Sequence, residues 1–262
     1  MNAVLVAAFA LGLVVAAAAV LLARQQRRIQ RLEQAFESGE QQLEHLQQAF
    51  QHFVPRNVVE DVIQRGVAIR GEHRDVTVLF ADLAGFTAMS EKLPAERVVE
   101  ILNGYFKVAS RAIADHNGHL TKFMGDGLMA IFGAPDPNPW QAMDAVRAGL
   151  AVLSALDAYN AELEVGGHPP LRACIGIHGG SVVAGVIGSS ALVEYTVIGD
   201  VVNTASRIEG LTRRFGTNLL VSDAIRASLD ERFEVREMPP VEVKGKSEEL
   251  VTYAVERFNG AA

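Results

Sequence analysis

Cysteine is almost missing from this chain: 262 residues contain one, Cys174. A lone thiol excludes an intramolecular disulfide framework and any zinc site built on several cysteines, and it fits a reducing compartment. Cys174 lies in the apolar run from Arg172 to His178, which makes it buried filler rather than a nucleophile. Basic charge is also in short supply. Against 31 Asp and Glu there are 24 Lys and Arg, a formal net charge of −7. That balance argues against a nucleic-acid partner, because general nucleic-acid binding needs surplus cations to neutralise phosphates. The seven histidines show no metal-ligand spacing, and His178 reads as structural. There is no internal repeat, and the one Pro/Gly-rich patch, Gly133 to Pro139, is a loop. Gly245-Lys-Ser247 invites a phosphate-loop reading, but that motif requires glycine at 240, where this chain has Pro240.

Apolar residues make up 49% of the chain, ample for one packed catalytic domain plus an extension. From Ala3 to Leu22 no residue is charged, a length that crosses the hydrocarbon core as a helix. A cleaved signal peptide is the rival reading. It lacks a basic region ahead of the apolar run, and the basic residues follow instead. Arg24, Arg27, Arg28 and Arg31 place that following end in the cytoplasm by the positive-inside rule. Residues 1–23 are therefore expected to form a single membrane span, in the inner membrane, with the rest of the chain cytoplasmic.

A seven-residue repeat follows: Ile29, Phe36, Leu43 and Phe50 on one seam position, Leu32, Gly39, Leu46 and Phe53 on the other. The pattern predicts a short parallel coiled coil over 24–54, with an amphipathic helix lying on the catalytic domain as its alternative; Gly39 weakens the seam. Pro55 breaks the helix, and 55–71 reads as a joint through which a signal would pass. Beyond it, 72–258 alternates between strand and helix periodicity. Asp75 to Ala81 reads as a strand, Ala95 to His116 as a helix, and His119 to Met124 with Gly127 to Phe132 as a hairpin. Trp140 to Leu163 is helical, with Trp140 starting or packing that helix. Strands are expected at Arg172 to His178, Ser181 to Val186 and Glu194 to Ile198, then a helix from Val201 to Phe215 and short strands to the end. The order predicts an α/β (α+β) fold with helices covering a sheet.

Two aspartates stand at sheet ends. Asp82 closes an apolar strand in Phe80-Ala-Asp-Leu-Ala-Gly-Phe-Thr87, and Asp126 sits at the hairpin tip in Lys122-Phe-Met-Gly-Asp-Gly127. Magnesium takes oxygen ligands, commonly one or two carboxylates with phosphate oxygens and water, so two adjacent aspartates suit a metal site. Read alone, Asp82 could simply cap a strand end, and Asp126 is better read as the turn residue that Asp-Gly hairpins favour.

The company they keep is more specific. With Gly176-Ile-His-Gly-Gly180, Tyr195-Thr-Val-Ile-Gly-Asp-Val-Val-Asn-Thr-Ala-Ser-Arg207 and Val243-Lys-Gly-Lys246, these segments resemble, in order and spacing, the motifs of the class III nucleotidyl cyclase catalytic domain. The resemblance implies a ferredoxin-like sheet with helices, paired head to tail in a homodimer whose active sites lie between subunits. It implies Asp82, the main-chain carbonyl of Leu83 and Asp126 as ligands of two Mg2+ or Mn2+ ions per site. From the partner it implies Lys122 and Thr196 as purine readers, and Asn203, Arg207 and Lys244 as the catalytic set. Asn203 and Arg207, four apart, share one helix face; alone, Arg207 would pair as well with Glu209 or Asp200.

The activity implied is adenylate cyclase: ATP to 3′,5′-cyclic AMP and pyrophosphate. Lysine donates to adenine N1 and threonine accepts from N6, whereas guanylate cyclases of the family usually carry Glu and Cys there. Thr196, where many adenylate cyclases have Asp, resembles the bicarbonate-responsive subclass. The loop Gly188 to Glu194 lacks the arginine many relatives place there. The alternatives are a guanylate cyclase, or a catalytically silent membrane dimerisation or sensing module. Silent relatives usually lose a metal aspartate or the Asn and Arg pair, and this chain keeps all four.

Overall fold

The fold was analysed in a computed structural model, which describes residues 25–26, 71–188, 193–242 and 249–260. The expected span over 1–23, nearly all of the coiled coil over 24–54, the joint up to residue 70, and Lys244 lie outside the described residues. Among the described residues, no helix is long and apolar enough to cross a membrane.

The described elements are β1 (Gly71–Leu83), α1 (Phe86–Ser90), α2 (Ala95–Ala114), β2 (His119–Met124), β3 (Gly127–Phe132), α3 (Gln141–Val165), β4 (Ala173–Gly188), β5 (Val193–Ile198), α4 (Asp200–Phe215), β6 (Leu219–Ser222), α5 (Asp223–Arg226), β7 (Phe233–Glu237) and β8 (Thr252–Phe258). The sheet runs β2-β3-β1-β4-β6-β8-β7, with β5 pairing β4 off this path. Its first four strands, joined by α2 and α3 in a β-α-β-β-α-β order, have the ferredoxin-like arrangement expected.

Side-chain alternation decides which helix each strand residue meets. Leu79, Ala81 and Leu83 of β1, with Leu128, Ala130 and Phe132 of β3, join the core formed with Ile101, Tyr105 and Ile113 of α2 and Val146, Val152 and Leu156 of α3. Ile208 of α4 packs with Leu220 and Ala254, the alternate residues of β6 and β8. The sheet is thus sandwiched, α2 and α3 on one face and α4 on the other. Asp82, between Ala81 and Leu83, points to the α4 face.

One expectation is corrected. The strands read as Arg172 to His178 and Ser181 to Val186 are a single strand, β4, continuous through Gly179 and Gly180. Two glycines punctuate a sequence pattern, but β1 pairs with β4 without interruption from Gly71↔Gly185 to Leu83↔Ala173, past both of them. The ladder to β1 holds a strand that side-chain pattern alone would break. The short helices α1 and α5 carry too few residues for periodicity to reveal.

Candidate active site

The β2–β3 hairpin closes with Met124 opposite Gly127, leaving Gly125 and Asp126 as the loop. The positive φ this turn needs, 66°, belongs to Gly125. Asp126 is therefore not there to make the turn. The tip leans on the end of β1: a Cβ on Gly127 would come within 3.3 Å of both Ala81 O and Asp82 Oδ1. That contact brings the carboxylates of Asp82 and Asp126 together. Burial, then the negative charge of Asp82 and a hydrogen bond shared with it, hold the Asp126 carboxyl above its ordinary range.

Cys174 faces Asp82 across the β1–β4 ladder and is fully buried. The hydroxyl of Tyr105 is buried without a hydrogen-bond partner, and burial together with the charges of Asp82 and Asp126 pushes its pKa far up. Two carboxylates pressed together are a place where a hard cation is the natural complement. The residues fit a divalent metal. No group of three or more His, Cys, Asp or Glu suited to a metal exists among the described residues, so main-chain, water or phosphate oxygens would complete the shell. Leu83 buries its side chain in the core and can offer the site only its main chain.

The second group lies elsewhere. Lys122 on β2 forms an ion pair with Glu194 on β5, Nζ to Oε1 3.2 Å. Nearby, the rings of His119 and Tyr195 meet edge to face at 6.2 Å. These contacts require the β4–β5 ribbon to curl back over β1 and β3, which separate β4 from β2 in the sheet. Glu194 and Thr196 alternate onto the same face of β5, so Lys122, Glu194 and the buried Thr196 gather around one corner. Burial lowers the His119 pKa and lifts the Tyr195 phenol to about 12, leaving both neutral at pH 7.

Helix α4 supplies the third group. Its buried stripe is Val201, Thr204, Ala205, Ile208 and Thr212. Asn203, exposed, and Arg207, half-buried, flank that stripe on one side; Glu209 and Arg213 flank it on the other. Arg207 does not pair with Glu209, which is taken by Arg213 at 2.7 Å. Arg213 also donates to Asp82 Oδ2. The helix comes this close because Gly176 of β4 lacks a side chain: a Cβ there would lie 2.1 Å from the Glu209 nitrogen. Among the described residues, no hydrogen bond or ion pair links Lys122, Thr196, Asn203 or Arg207 to Asp82 or Asp126.

Residues 69–257 match the family described as the adenylate and guanylate cyclase catalytic domain. The chain belongs to that family. It is 36% identical over 208 residues to Adenylate cyclase 1 of Rhizobium meliloti, covering 79% of this chain and 31% of that one. Among solved structures, the adenylyl cyclase CyaB from P. aeruginosa superposes with a TM-score of 0.68 at 29% identity, over 72% of this chain and 97% of that one. The guanylyl cyclase Cya2 superposes with a TM-score of 0.67 at 36% identity, over 71% and 93%. The chain spans less than half the length of the curated relatives it matches first. Class III cyclases use divalent metals, which agrees with the donor set at Asp82 and Asp126.

Glu194 and Arg213 escaped the sequence reading. Glu194 adjoins the Tyr195 motif, and its charge beside Lys122 becomes visible only once the ribbon curls. Arg213 lies 131 positions from Asp82, and no periodicity spans that gap.

Proposed function

We propose that this cyclase converts ATP to 3′,5′-cyclic AMP and pyrophosphate in a homodimer. The observation that carries the reading is the juxtaposed Asp82 and Asp126 at the end of β1. Asp82, the Leu83 carbonyl and Asp126 of one protomer would hold two Mg2+ or Mn2+ ions. When bound, these ions supply charge that eases ionisation of the ribose 3′ hydroxyl and neutralises the triphosphate. The 3′ oxygen forms a bond to the α-phosphorus, the bond to pyrophosphate breaks, and the hydroxyl proton passes to Asp82 or to a water.

The partner protomer contributes the rest. Lys122 donates to adenine N1 and Thr196 accepts from the 6-amino group, with Glu194 holding the lysine. Asn203 orients the ribose; Arg207 and Lys244 stabilise charge growing on the phosphates in the transition state. Supporting this division, among the described residues Lys122, Thr196, Asn203 and Arg207 make no hydrogen bond or ion pair with Asp82 or Asp126, and Asn203 projects from the exposed flank of α4. The sequence-based span over 1–23 would anchor the dimer in the inner membrane, and the coiled coil would raise the effective concentration of the two domains. Thr196 also suggests bicarbonate responsiveness, which unchanged turnover across a bicarbonate titration at fixed pH would reject.

The likeness to Cya2 makes guanylate cyclase the second reading, with GTP as substrate. Assay of the full chain with ATP or GTP separates the two by the cyclic nucleotide formed. Mixing inactive Asp82→Ala and Asn203→Ala chains tests the shared site: each mixed dimer retains one pocket with both sets intact, so activity should return. No recovery, with mixed dimers verified, would refute the two-chain site.

A further inference from the structure

The Arg213 guanidinium is forked between two carboxylates. Nη1 donates to Glu209 Oε1 at 2.7 Å, one turn back on α4, while Nη2 donates to Asp82 Oδ2 on the sheet. An i,i+4 pair on a helix surface is worth only a few tenths of a kcal/mol and has no need of a third group. Here the helix has been brought against the sheet by Gly176, and the planar fork bridges both acids at once. The far acid is one of the two carboxylates that oppose each other at the hairpin tip.

We propose that Arg213, held by Glu209, is a positioning residue of the metal site that occupies Asp82 and competes with the divalent cation for it. The proposal rests on Asp82 being a metal ligand. A metal ion taking Asp82 has to break a charge-assisted hydrogen bond and approach a guanidinium. Glu209 keeps the displaced arginine beside the site, since that bond survives when the other is lost. Metal affinity is thereby lowered while the geometry of Asp82 is kept between turnovers.

The test is Mn2+ binding to the full chain without nucleotide, followed by electron paramagnetic resonance, for wild type, Arg213→Lys, Arg213→Met and Asp82→Asn. Arg213→Met should bind Mn2+ about tenfold more tightly, the equivalent of about 1.4 kcal/mol, with Arg213→Lys between it and wild type. Metal-free Arg213→Met should melt below wild type, and saturation with Mn2+ should close that gap; a merely structural arginine would leave it open. Equal or weaker Mn2+ affinity in Arg213→Met overturns the proposal, as does a lysine variant that binds more weakly than wild type. An Asp82→Asn chain that binds Mn2+ like wild type overturns the ligand assignment itself, which is a separate failure.

Discussion

Lys122 and Glu194 meet at 3.2 Å although their strands are not neighbours in the sheet. Both side chains are partly exposed, so the pair adds little to stability; on the proposed role of Lys122, its effect is to aim the lysine at the purine. Glu194→Ala should raise KM for ATP about two- to fivefold and leave kcat nearly unchanged, the signature of binding shared by ground and transition states. Initial rates over an ATP series check this. A loss confined to kcat would contradict a role on the purine side.

Asn203 and Arg207 should behave in the opposite way. On the proposed roles, alanine at 207 removes a donor aimed at charge that develops during reaction and alanine at 203 removes the group that orients the ribose, so kcat should fall about 10²- to 10³-fold with KM little altered. Since neither belongs to the buried stripe of α4, the melting temperature should stay near that of wild type.

Asp126 gives a pH dependence with a definite sign. Its folded pKa lies above the ordinary carboxylate value, so the folded state holds the proton more tightly than the unfolded state. Its contribution favours folding below the ordinary carboxylate range and is lost as pH rises through the elevated folded pKa. In chelator at pH 7 to 8, Asp126→Asn should therefore melt higher than wild type, and the difference should shrink towards acidic pH. Equal melting at neutral pH would show that the crowding of the two acids costs nothing.

Two glycines near α4 should respond oppositely to alanine. At Gly176 the new methyl meets the backbone of Glu209 and Ala205, an overpacking costing about 1 to 3 kcal/mol, and activity should drop as the helix lifts. At Gly210 nothing lies within 4 Å, so alanine should stabilise by about 0.5 to 1 kcal/mol through helix propensity. Thermal melts of the two variants side by side make the comparison.

Much of this was readable beforehand because it is local. The hairpin carrying Asp126 needs only two apolar runs and a turn glycine, and α3, expected over Trp140 to Leu163, is found over Gln141–Val165. The division of labour between Asp82 and its neighbours Ala81 and Leu83 follows from the two-residue alternation of a strand. What stayed hidden depends on the third dimension. The unbroken β4 needs the full length of β1 beside it, Glu194 needs the ribbon to curl, and the reach of Arg213 to Asp82 needs Gly176 to admit a helix. Lys244 falls outside the described residues, and its role rests on its motif.

A single rigid rod carries both flanks of α4. If, in the proposed homodimer, Asn203 and Arg207 seat in a neighbouring protomer's pocket, the same rod carries the grip of Arg213 on the acid of its own. In an assembled pair the two catalytic centres would then be mechanically linked, so that filling one alters the readiness of the other and turnover need not follow simple hyperbolic saturation.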